Sequence, residues 1–128
     1  MTGATARGDV LVAGIDVGTK GARVVVLDLA GKLAARASEV LPPPVTTAAN
    51  IAEQDPEAWW GAVCRCFRRV LVQIDATRLC GLAVSSTSGT LVLTDENGRP
   101  LRSGRVMPGN SADASVWPPD AGPSAACS

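Results

Sequence analysis

Two rhythms of apolar and polar positions run along this chain, one of period two and one of period three to four. VLVAGIDV (10–17) and RVVVLDL (23–29) flank the turn GTKGA (18–22). Both runs are valine-rich and too short for helices, which predicts strands. Ala30-Gly31-Lys32 supplies a second turn, and LAARASEVL (33–41) alternates roughly enough to predict a third strand. Three strands joined by tight turns make an antiparallel meander. Pro42, Pro43 and Pro44 stop it, because proline cannot donate to a ladder, and 42–54 reads as a loop. Asp55-Pro56 then marks a helix start, with a carboxylate at the N-cap and proline at the first helical position.

Trp59, Val63, Cys66, Phe67, Val70 and Ile74 recur at the spacing of an amphipathic stripe. Arg65, Arg68 and Arg69 read as a solvated surface, and Trp59 and Trp60 as core. LCGLAVSS (79–86) is almost continuously apolar, which predicts a strand buried on both faces. The helix before it is the crossover that a parallel pairing needs. TLVLTD (90–95) and RPLRSGRVM (99–107) flank Glu96-Asn97-Gly98 and predict a hairpin. The expected order is β-β-β-α-β-β-β in a mixed α/β sheet.

Composition narrows the function. At 128 residues and 46% hydrophobic, the chain has the size of one domain with a real core. Three segments are expected: a flexible leader at 1–9, a domain at 10–107, and a tail at 108–128 that loses periodicity and gains proline, alanine and serine. Twelve basic residues balance twelve acidic ones, which argues against a nucleic-acid partner held by a net basic field. The chain has no histidine, so it contains no Ser-His-Asp triad, no Cys-His pair and no His-ligated metal. Cys64, Cys66, Cys80 and Cys127 form no CxxC motif and read as small hydrophobes in a reducing compartment. No signal-like segment and no run of the ~20 apolar residues that cross a bilayer is present. A cytoplasmic protein without a membrane partner is expected.

The strongest chemical signal is Asp16-Val17-Gly18-Thr19-Lys20-Gly21. An acid at the end of a buried strand is costly unless it has a task, such as holding a metal or its waters. Gly18 and Gly21 let backbone N–H groups approach an anion, Thr19 adds a hydroxyl and Lys20 a cation. The loop joins two strands and opens no helix, so it is neither a Walker A loop nor a Rossmann fingerprint. Taken alone, the pattern fits an ordinary glycine hairpin as well.

Its company adds more. GIDVGTKGARVVVLDLAGKL (14–33) resembles the first phosphate motif of the FGGY family of carbohydrate kinases, within the actin-like ATPase superfamily. EQDPEAWW (53–60) resembles the start of the family's first helix, and GLAVSSTSGTLVLTDENGRPL (81–101) the strand, substrate segment and hairpin that follow. The resemblance implies a ribonuclease H-like (actin-like ATPase) N-terminal half-domain. It also implies ATP and Mg²⁺ as cofactors and a sugar or polyol as substrate. Asp16 would organise Mg²⁺, and Gly18, Thr19, Lys20, Gly21 and Arg23 would surround the nucleotide phosphates. Thr87 and Ser88 would face the sugar, and S-S-T-S-G-T is more like members acting on pentuloses than like glycerol kinases. Glu53-Gln54 would serve the helix start first and substrate contact second.

Departures from the family pattern begin after Met107. Asn110 stands where relatives carry a substrate-facing acid, and the arginine that usually follows is missing. The expectation is a lost reading frame near 108 or an unrelated tail. The family's catalytic base and adenosine pocket lie beyond the part resembled here. The resemblance therefore implies a chain that is inactive alone and self-associates through uncovered surface. A non-catalytic remnant is the alternative. A ribonuclease H-like nuclease is a weaker one, because the strand at 79–86 ends in Ser85-Ser86-Thr87-Ser88 where an acid would be expected.

Overall fold

The computed structural model describes residues 9–47 and 51–106. The leader up to residue 8 and the segment from 107, with Asn110 and Cys127, lie outside the described residues.

The meander forms where the valine runs predict it. Strands β1 (Leu11–Gly18), β2 (Gly21–Asp28) and β3 (Leu33–Val40) pair antiparallel in sequence. Strict alternation sends Leu11, Ala13, Ile15, Ala22, Val24, Val26 and Ala35 to one face, where they are buried. Helix α1 (Pro56–Leu71) covers that face over β2 and β3, delivering Ala62, Cys66 and Val70 to the core. Its start is as expected: the Asp55 carboxylate accepts from the Glu57 N–H at 2.9 Å, and Pro56 follows. Two arginines of the expected solvated face instead tie helix to sheet. Arg65 pairs with the Glu39 carboxylate at 3.1 Å, Arg69 pairs with the same carboxylate, and Arg69 also donates to the Ser38 carbonyl at 3.1 Å. Trp59 packs on the core as expected, whereas Trp60, on the next face of the helix, is 67% exposed.

Three further expectations need correction. The segment 42–54 contains two short strands, β4 (Val45–Thr46) and β5 (Ala52–Gln54). β5 pairs with a strand from some fifty residues later, a long-range partner that no local period announces. That partner, named β7 below, is all that the run 99–107 contributes as a strand. The run 90–95 makes only isolated bridges, Leu91 with Arg105 and Thr94 with Pro100. The turn between them is as read: Asp95 accepts from the N–H groups of Asn97 and Arg99, and Gly98 takes φ 76°.

The third correction concerns β6 (Leu79–Ser86). It runs parallel to β1, as the helical crossover requires, in a four-stranded sheet of order β3-β2-β1-β6. Yet it lies at the edge, beyond the cover of α1, and Leu82 and Val84 are 60% and 63% exposed. The apolar run was read as burial on both faces, but burial needs a strand beyond it and a layer over it. Among the described residues neither exists. β7 (Gly104–Val106) completes a second sheet of order β4-β5-β7. No helix among the described residues is long and apolar enough to cross a membrane.

Candidate functional site

The site is built on the hairpin between β1 and β2. Gly18 faces Gly21 across it, with Thr19 and Lys20 as the two turn residues. Two positions further in, Asp16 faces Arg23, and their side chains pair at 3.3 Å. Both belong to the sheet face opposite α1 and are more than half exposed. The cost of burial argued from sequence for Asp16 therefore does not arise, since alternation turns its carboxylate outward. Beside this pair, Gly14, Val25 and Ala83 floor a shallow depression of about 370 Å³. An anion or hydrated cation arriving there meets one carboxylate and one guanidinium over a small-residue floor.

The two glycines differ in what they permit. A Cβ on Gly21 would come within 2.4 Å of the Glu39 carbonyl oxygen in β3, so this residue is glycine for packing of the sheet itself. At Gly18 a Cβ would lie at ordinary contact, 3.7 Å from the Gly21 carbonyl oxygen and 3.9 Å from Thr87 Oγ1. Thr87 is thus brought beside the loop from the end of β6, and its N–H donates to the Val17 carbonyl at 3.2 Å. Ser88 follows and is exposed. Lys20 is exposed at the turn, while Thr19 is half-buried.

Three backbone carbonyls around the turn are held from outside it. Thr87 N–H takes Val17, Leu41 N–H takes Lys20 at 3.0 Å, and the Gln54 side-chain amide takes Thr19 at 2.7 Å. Sequence reasoning placed Gln54 at the helix start and missed this reach. The only local signal is a polar residue on the inward side of a short strand.

The donor set suits Mg²⁺ in one respect. Mg²⁺ keeps several waters and takes one or two carboxylates together with substrate phosphates, and Asp16 offers one accessible carboxylate beside the glycine turn. Among the described residues no group of three or more Cys, Asp or Glu side chains could hold a metal by itself.

The glycine hairpin on a β-β-β-α-β core has the actin-like ATPase type of fold, as its structural neighbours do. Within it, the model of the FGGY family of carbohydrate kinases, N-terminal domain, matches residues 11–112, and the chain belongs to that family. It is 27% identical over 106 residues to D-ribulokinase of Saccharomyces cerevisiae. That match covers 81% of this chain and 15% of the yeast protein. Among solved structures, gluconate kinase from Lactobacillus acidophilus aligns with TM-score 0.66 at 26% identity, over 74% of this chain and 19% of its own. Xylulose kinase from Rhodospirillum rubrum aligns with TM-score 0.65 at 23% identity, over 74% and 20%. The chain spans a fifth or less of the length of these relatives.

Proposed function

We propose that this chain is the phosphate-binding N-terminal part of an ATP-dependent carbohydrate kinase that phosphorylates a sugar or polyol hydroxyl, within the pentulose-type branch. The observation that carries the reading is the Thr19-Lys20 turn with Asp16 and Arg23 in cross-strand register beside it. The yeast ribulokinase supports the pentulose assignment. Bound Mg²⁺–ATP would supply the γ-phosphoryl group and neutralise its developing charge. Asp16 would hold the hydrated cation in exchange for its pairing with Arg23, which would then be free to meet a phosphate oxygen. Gly18, Thr19, Lys20 and Gly21 would present the turn to the phosphates, and Thr87 and Ser88 would face the sugar. Asn110 is retained as a substrate contact on the resemblance alone.

The isolated chain is proposed to be catalytically silent, because it spans 15% of the yeast relative's length and the family resemblance puts the proton-accepting carboxylate outside the part resembled. The edge of β6, unpaired among the described residues, supports self-association, which sedimentation at rising concentration would reveal. Three free cysteines among the described residues fit a reducing, cytoplasmic setting. Titrating Mg²⁺–ATP while following the amide signals of Gly18, Thr19, Lys20 and Gly21 tests the site. Saturable shifts that vanish in Asp16→Ala are expected; no shift at these amides sinks the reading. Turnover of ATP against pentuloses, hexoses and glycerol by the isolated chain would overturn the inactivity.

A further inference from the structure

Gln54 is buried, and both amide hydrogens and the carbonyl oxygen of its side chain are engaged. Its Nε2 donates to the Thr19 carbonyl and to the Pro42 carbonyl, each at 2.7 Å, while its Oε1 accepts from Trp59 Nε1 at 3.1 Å. These partners allow one orientation of the amide only, since two carbonyls require the NH₂ group and an indole N–H requires the oxygen. The residue therefore joins three places distant in sequence: the β1–β2 turn, the chain leaving β3, and the first turns of α1.

The carbonyl it holds belongs to the Thr19–Lys20 peptide, the central peptide of a two-residue turn. That unit can rotate with little effect on the strands, because turn types differ mainly in which way it points. The trans peptide is planar, so its N–H lies opposite its C=O. Holding the Thr19 oxygen on the Gln54 side sends the Lys20 N–H the other way. Trp59, which fixes the Gln54 amide, packs on the α1 side of the sheet, whereas Asp16 and Arg23 occupy the opposite face.

We propose that Gln54 is a positioning residue that locks the central peptide of the phosphate turn, aiming the Lys20 N–H toward the face where Asp16 and Arg23 lie. It rests on the kinase reading for the identity of the anion, but the locking itself does not. Two of its bonds go to carbonyls in the turn and just after β3, so the turn is held by the residue that immediately precedes the N-cap of α1.

The test uses the 128-residue chain and two variants, Gln54→Met, which keeps the length and removes donors and acceptor, and Trp59→Phe, which removes the bond that steadies the amide together with part of the packed ring. Amide exchange and line widths are read at Lys20 and Leu41 in the turn region and at Ala13 and Val24 in the strands. In Gln54→Met the Lys20 signal should broaden and Leu41 protection should fall about tenfold, as loss of one or two buried hydrogen bonds implies, with Ala13 and Val24 changed less than about threefold. Trp59→Phe should give the same pattern at about a third of the size. Equal loss at all four amides, or no change at Lys20 and Leu41, overturns the proposal. If Gln54→Met does not fold, the Trp59→Phe pattern decides by the same criterion. Inorganic tripolyphosphate with Mg²⁺ provides the second arm, in which Gln54→Met should weaken the shifts at the turn about tenfold. Wild-type chain that ignores tripolyphosphate would sink the kinase reading, while the amide comparison would still decide the locking.

Discussion

Strands β2 and β6 flank β1 on its two sides, and they invert what their sequences suggest. β2, GARVVVLD, carries an arginine and an aspartate, yet Ala22, Val24 and Val26 are wholly buried. β6, LCGLAVSS, has no charge at all, yet from Cys80 to Ser86 every residue is exposed. The difference is position. β2 has a strand on either side and α1 above it, while β6 has β1 on one side and no helix over it among the described residues. An apolar strand records the burial it can accept; neighbours decide the burial it receives.

Paired substitutions can break or sharpen that contrast. The largest effect is expected from Gly21→Ala set against Gly81→Ala. The new methyl at Gly21 meets the Glu39 backbone at 2.4 Å, whereas at Gly81 nothing lies within 4 Å. An obstacle made of backbone puts the first at about 3 kcal/mol of lost stability in urea unfolding, and the second at less than about 0.5 kcal/mol. Similar losses at both positions would mean that β6 is covered in solution. Next come Val24→Ala and Val84→Ala, with about 2 kcal/mol expected for the buried methyls and cavity in β2, and under about 0.5 kcal/mol for the edge.

Ion pairs repeat the lesson at smaller scale. Glu39 is held by Arg65 and Arg69 under the edge of α1 and its side chain is 17% exposed, so Glu39→Gln should cost about 1 kcal/mol. Asp16→Asn removes an open pair and should leave stability unchanged to within about 0.5 kcal/mol. The smallest effect is a pH dependence. Burial pushes the Cys66 thiol up, against the opposing pull of Arg65. The folded chain therefore keeps that proton where the unfolded chain has lost it. Stability should decline as pH rises through and beyond the ordinary thiol range, and Cys66→Ala should lack that slope. Exposed Cys80 on β6 should react with iodoacetamide well before Cys66 does.

Much of the site was legible because its parts are neighbours in the chain. The turn Gly18–Gly21 and the Asp16–Arg23 register follow from one hairpin, and a two-residue turn fixes its own cross-strand partners. Local chemistry likewise reveals the helix start at Asp55-Pro56 and the turn at Asn97-Gly98. What stayed hidden depends on pairs far apart. The β5–β7 ladder joins segments fifty residues apart, and Gln54 meets Thr19 over a separation of 35 residues. Two-residue and three-residue strands show no period to read, and an inward glutamine shows nothing of its partner.

Alternation and turn chemistry by themselves determined the meander, the helix and the residues that line the glycine turn, because each depends on backbone geometry over a few residues. Tertiary structure decided that β6 lies at an edge, that Arg65 and Arg69 grip Glu39, and that Gln54 holds the turn from behind. Those outcomes depend on which surfaces meet after the chain has closed long loops, and no local pattern encodes the distance between two elements that are not yet packed.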